Sequence, residues 1–130
     1  MYIAGTESTG TNYYAAVYWK NGNRVTLTDS SNAAAANAIA ISGNDVYVVG
    51  YDDIIAKYWK NGNPVVLAPV SDPDPGFANG ITIYGNDVYV AANEFQGSNH
   101  MALYWKNGIA VPLTVDTVNA WANSIVISNQ

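Results

Sequence analysis

Three copies of the string YWKNG constrain this chain more than any other feature: Tyr18–Gly22, Tyr58–Gly62 and Tyr104–Gly108. A catalytic motif usually occurs once. Repetition at a steady period instead implies structural units that bury their faces on one another. A second string recurs with the first: ANAIAISGNDVYVVG from Ala36, ANGITIYGNDVYVAA from Ala78 and ANSIVISNQ from Ala122. The last copy stops midway, and the equivalent of its missing VYVVG opens the chain as MYIAG, Met1–Gly5. Asn37 to Asn79 is 42 residues and Asn79 to Asn123 is 44. Running off the end of the 130 residues and back to Asn37 is again 44. The expectation is three whole repeats, cut inside one of them.

Each repeat holds four strand-like runs, for example NAIAIS, DVYVVG, IAKYWK and PVVLA. Gly43-Asn44 joins the first pair and Asn61-Gly62 joins the third run to the fourth, both hairpin signals. Tyr, Val, Ile, Thr and Trp dominate between Gly, Asn and Asp, which is an all-β reading. Only SSNAAAANAIA favours helix locally, and its place in the repeat argues against it. The run VYVV is apolar at successive positions, so both faces of its strand are expected to be buried. Four strands in about 40–45 residues are the signature of a β-propeller blade.

The GNDVYVAG-like and YWKNG strings resemble β-propeller repeats of bacterial proteins, many of them extracellular or uncharacterised. The resemblance covers all three repeats and implies the fold. It differs from the Trp-Asp repeat class, since no Gly-His and terminal Trp-Asp pair appears, and it assigns no activity to any residue. Propellers close with four to eight blades, so three blades expose two apolar faces. The expected solution is a homodimer sharing a six-bladed ring, with the inner strand exchanged between chains. On this reading 1-35 supplies the outer three strands of one blade, 36-77 and 78-121 are complete blades, and 122-130 completes a blade of the partner. A nine-bladed ring of three chains also closes, and half of a longer chain is the remaining alternative.

Composition narrows the function classes. Ten acids against five bases give a net charge of −5, a poor match to nucleic acid, which needs a basic footprint. No run of 18 apolar residues is present, so no membrane-spanning helix is expected. The chain has no cysteine, which excludes disulfides and thiolate metal sites. The opening MYIAGTESTG has no basic stretch and no long apolar one, so it does not read as a signal peptide. The compartment is open: cytoplasmic, or extracellular if the chain is excised from a longer secreted protein.

The turns SGND and KNGN are short and nearly identical between repeats, and share one face of the ring. The variable connections share the other, and function concentrates in such loops. Eight of the ten acids fall there: Glu7, Asp29, Asp52, Asp53, Asp72, Asp74, Glu94 and Asp116. Lys20, Arg24, Lys60 and Lys106 flank the opposite turns. The candidate ligand contacts are Glu7, Tyr13, Asp52, Asp53, Asp74, Glu94, Phe95, His100 and Trp121. Trp121 and Phe77 occupy equivalent positions, taken by Ala35 in the other repeat. Trp19, Trp59 and Trp105 are expected to pack between blades.

No cofactor or metal site is expected. Asp72-Pro73-Asp74 opens like a calcium loop but lacks the later ligands. Asp52-Asp53 reads as a tight turn, because neighbours on a strand point to opposite faces. His100 alone supports no triad. The expected function is a non-enzymatic, self-assembling propeller with a ligand face. The alternatives are a lectin-like carbohydrate binder, and a fragment or engineered unit with no ligand.

Overall fold

The computed structural model describes residues 1–10, 12–70, 75–115 and 118–129. Among them are eleven antiparallel strands in three sheets and no helix. Sheet one is β1 (Tyr2–Ser8), β2 (Tyr14–Lys20) and β3 (Asn23–Thr26). Sheet two is β4 (Ala34–Ser42), β5 (Asp45–Asp52), β6 (Ile55–Lys60) and β7 (Asn63–Val66). Sheet three is β8 (Gly76–Tyr84), β9 (Asp87–Gln96), β10 (Asn99–Lys106) and β11 (Ile109–Pro112). Each is a meander, in which every strand pairs with its neighbour in sequence.

The alanine run inside SSNAAAANAIA is strand: Ala34, Ala35 and Ala36 lie opposite Asp52, Tyr51 and Gly50. All three alanines are buried. Tertiary burial overrides their local helix preference.

Strand alternation builds two cores from one sheet. Val46 and Val48 of β5 join Trp59 against Ala16 and Tyr18 of sheet one. Tyr47 and Val49, on the opposite face, join Ala56 and Leu67 against Val88, Val90, Leu103 and Trp105 of sheet three. Sheet two is therefore covered on both sides, as its VYVV run requires.

The YWKNG asparagine fastens the turns. Asn61 and Asn107 adopt positive φ of 51° each, followed by Gly62 and Gly108 at 83° and 81°. Asn61 Oδ1 accepts the Val46 N–H at 2.9 Å, and its Nδ2 donates to Asp45 at 2.9 Å. Asn107 repeats this with Val88 at 2.9 Å and Asp87 at 2.8 Å. In sheet one, Asn21 accepts from the Met1 amino group, which stands where Val46 and Val88 stand in the other sheets. The motif's lysine completes the arrangement. Lys60 and Lys106 lie 3.6 Å from Asp45 and Asp87, and each sits 5.5 Å from a tyrosine ring, Tyr47 or Tyr89.

A second asparagine links one sheet to the next. The β4–β5 register shifts between Ala36 and Ala38, and the β8–β9 register between Ala78 and Gly80. Asn37 and Asn79 are the extra residues of these bulges. Asn37 Nδ2 donates 2.9 Å to the Ala78 carbonyl of sheet three. Asn79 Nδ2 donates 3.0 Å to the Ala122 carbonyl, beyond the last strand.

The turn carboxylates carry a pH signature. The Asn61 side chain, then the Lys60 charge, hold the Asp45 pKa below the ordinary 3.8. Asn107, then Lys106, do the same for Asp87. A depressed folded pKa contributes stability that is present above 3.8 and lost as pH falls through the lower folded value. Replacing both acids (D45N with D87N) should therefore lower stability at pH 7. The gap to the parent should close as pH falls below 3.8, in urea unfolding followed at several pH values.

Candidate functional site

Two surfaces of the chain end without a covering sheet. On sheet one, Ile3 and Trp19 are cross-strand partners. Their counterparts in sheets two and three are the pairs Val48–Trp59 and Val90–Trp105, buried to 1% exposure in every case. Ile3 is 47% exposed and Trp19 is only half-buried. Trp59 packs on sheet one and Trp105 on sheet two. Trp105 also donates its indole N–H to the Ala68 carbonyl at 2.7 Å. Among the described residues no sheet covers Trp19, which lies over Gly5, where an added Cβ would stand 2.9 Å from the indole Cζ3.

The opposite surface belongs to sheet three. Leu67 follows sheet two and is buried at 2% exposure, whereas Leu113, its counterpart after sheet three, is 58% exposed. Residues 122–128 lie against this side. They run in the same direction as β8, from Ala122 beside Asn79, through Asn123 and Ser124 at Gly80, to Asn129 at the Tyr84 hydroxyl. The approach is close, since a Cβ on Gly80 would meet the Asn123 oxygen at 2.9 Å. β4 and β8 are neighbours of the same kind, linked by Asn37. Unlike them, 122–128 joins no ladder among the described residues, and Val126 is 82% exposed.

The strand ends beside the variable loops carry an aromatic series, which Trp121 continues from outside the strands. Ring centroids step from Tyr51 to Phe77 at 5.0 Å, Phe77 to Phe95 at 6.2 Å, Phe95 to His100 at 4.0 Å and His100 to Trp121 at 4.9 Å. His100 Nδ1 is 3.0 Å from Asn93 Nδ2, and its backbone N–H donates to Asn119. Trp121 ends the series, 53% exposed. Phe95, His100 and Trp121 thus come together, while Glu7 lies on β1 and Tyr13 in the loop between β1 and β2. Asp72, Asp74 and Asp116 lie outside the described residues. No group of three metal-binding side chains is found among the described residues.

The acids have distinct environments. Asp52 pairs with Lys57 at 3.0 Å, and Asp53 occupies the β5–β6 turn at φ 60°. Glu7 pairs with Arg24, so these two charges bridge the loop and turn faces that the sequence had separated. Asp29 is held by the Ser31 N–H and hydroxyl, and the hydroxyl bond leads in lowering its pKa.

Glu94 departs furthest from expectation. It is fully buried between sheets two and three, with both carboxylate oxygens accepting the Val70 N–H at 3.1 and 3.0 Å. Sequence reasoning placed it in a solvated loop. The repeat carried the missing signal: Glu94 aligns with Asp52, and Leu103 aligns with the lysine that pairs with Asp52. The bulge asparagines were also missed, although Asn37, Asn79 and Asn123 recur in register.

No family model matches this chain, and no curated protein matches it either.

Proposed function

We propose that the chain is a non-enzymatic, self-assembling β-propeller unit whose three sheets are blades, and that two chains share a six-bladed ring. One observation carries the reading. Positions buried at the joints within the chain recur less covered on its two open surfaces: Ile3 exposed and Trp19 half-buried on one, Leu113 exposed on the other. Apolar surface of this kind marks an interaction site. The two surfaces differ and are complementary, so the contact is head-to-tail and must close into a ring or run on as a filament. Six blades lie within the common propeller range.

The repeat fixes the register of the joint. β4 pairs with β5 through Ile39↔Val48, Ala40↔Tyr47 and Ile41↔Val46. Carried to the joint, this sets Ile125 opposite the partner's Ile3, Val126 opposite the partner's Tyr2 and Ile127 opposite the partner's Met1. Asn123 takes the bulge and donates to the partner's Ala36 carbonyl. Trp19 packs against the partner's Leu113. Strand addition of this kind satisfies an open sheet edge while burying alternate side chains.

Crosslinking tests the register. The chain has no cysteine, so a double variant, I3C with I125C, introduces the only thiols. Oxidation should give a covalent dimer from the paired register, and displaced pairs such as I3C with S128C should give little. Equal yields from both would contradict strand exchange in this register.

A second reading, carbohydrate binding, is favoured by the aromatic series ending on half-exposed Trp121. Aromatic faces beside polar side chains stack on sugar rings. Oligosaccharide binding should shift tryptophan fluorescence in the parent and lose at least about tenfold in affinity in W121A, the scale of a lost stacking contact. A glycan array without a hit would remove this reading.

A further inference from the structure

A chain of hydrogen bonds runs across β8, β9 and β10 and ends on an imidazole. Asn79 Nδ2 donates to the Ala122 carbonyl at 3.0 Å and to Asn93 Oδ1 at 2.9 Å. Asn93, 4% exposed, carries the chain on: its Nδ2 lies 3.0 Å from His100 Nδ1. A backbone carbonyl can only accept, so Asn79 must turn its amide nitrogen to Ala122. That nitrogen also faces Asn93, which must answer with its oxygen. The Asn93 nitrogen is thereby left for His100, whose Nδ1 must accept. The Ala122 carbonyl thus fixes the imidazole as the neutral tautomer with its proton on Nε2.

The same histidine holds the segment that follows sheet three. Its backbone N–H donates to Asn119 Oδ1 and its carbonyl accepts the Ala120 N–H, both at 2.9 Å. Its ring centroid lies 4.9 Å from that of Trp121. With Ala122 held by Asn79, residues 119, 120, 121 and 122 are all tied to this network. They lead into 122–128, which joins no ladder among the described residues. Sheet two lacks the device: Tyr51 stands at the place of Asn93, and Ile54 at that of His100. The segment beside sheet two is β8, which is already held in a ladder of its own.

We propose that His100 is a protonation switch on residues 119–124: neutral, it holds the segment against sheet three, and protonated, it releases it. On the ring reading, to which this adds a means of regulation, the same proton loosens the exchanged strand. The second proton of the imidazole goes to Nδ1, because Nε2 already carries one. Nδ1–H then faces the Asn93 N–H, donor against donor, and a buried donor without an acceptor is costly. Either relief reaches the segment. If Asn93 turns over, Asn79 must turn its oxygen to meet it, and Ala122 loses its donor. If the imidazole turns away, it leaves Trp121. From β9 and the following segment, Asn93, Phe95, Asn119 and Trp121 contact His100, and none of them titrates. Glu94 lies opposite Met101 and points to the other face of the sheet. Asp116 lies outside the described residues, and the added proton goes to Nδ1 whatever stands at Nε2.

Imidazole nitrogen NMR and amide exchange on the parent protein test the switch at about pH 8 and about pH 5, on either side of the range in which imidazoles titrate. At the higher pH His100 should be the Nε2–H tautomer. At the lower pH the Ala120 N–H should lose protection at least about tenfold, after correction for intrinsic exchange, the scale of one lost hydrogen bond. The Leu113 N–H, bonded to the Ala102 carbonyl, should keep its protection. H100N keeps an acceptor oxygen near the place of Nδ1 and cannot titrate, so its Ala120 protection should be equal at both pH values. N93D gives Nδ1–H an acceptor and should likewise stay protected in acid. Should N93D fail to fold, H100N still decides. An Nδ1–H tautomer at the higher pH, an Ala120 amide equally protected at both pH values in the parent, or a loss that persists in H100N overturns the proposal. Sedimentation of the same samples reads the ring: its dissociation constant should rise at least about tenfold in acid for the parent and not for H100N. A single chain at the higher pH defeats the ring reading alone, since the amide readout needs no partner.

Discussion

The rest of this structure depends on one contact, made twice: the tryptophan-bearing faces of sheets two and three each rest on the sheet before. Trp59 sits on sheet one and Trp105 on sheet two, both essentially inaccessible to water. A buried tryptophan is among the largest apolar contributions a small unit makes. Neither sheet buries its tryptophan alone: each needs the neighbouring sheet. Among the described residues no sheet covers the Trp19 side of the first sheet, and Trp19 is left half-buried over Gly5.

Polar links hold the sheets at the spacing this packing needs. The bulge asparagines Asn37 and Asn79 each reach a carbonyl on the following extended segment. The second of these segments is 122–128, which runs beside β8 and joins no ladder among the described residues. At the other end of the chain, β1 pairs with β2 alone among the described residues. An unpaired strand and an unpaired edge, in one chain and in matching register, are what the proposed ring brings together. The YWKNG polar residues serve the turns, where Asn61 and Asn107 tie the hairpins together and Lys60 and Lys106 flank them.

Most of the fold was legible because its signals are local and repeated. Asn-Gly and Gly-Asn mark hairpins, VYVV marks a strand buried on both faces, and spacings of 42 and 44 residues mark equivalent units. The AAAA run could be read as strand only through its place in the repeat, since burial decided it. The candidate site was less legible. Phe95, His100 and Trp121 were chosen as loop aromatics, but Phe95 and His100 are cross-strand partners of β9 and β10, and only the Trp121 contact depends on how a separate loop meets that hairpin. Glu94 looked solvated because an acid in a loop-flanking sequence usually is. Its burial follows from the packing of sheet two against sheet three, which no local pattern encodes. The Glu7–Arg24 pair likewise depends on the reach of a long side chain along a sheet.

The central claim is that three sheets are half of a closed object. Native mass spectrometry of the purified chain, with sedimentation velocity at micromolar concentration, tests it most directly. The account predicts one species of twice 13.9 kDa, compact in sedimentation and unchanged on dilution through the micromolar range. A stable species of 13.9 kDa that buries its open faces alone, or an open-ended series of oligomers, would contradict it.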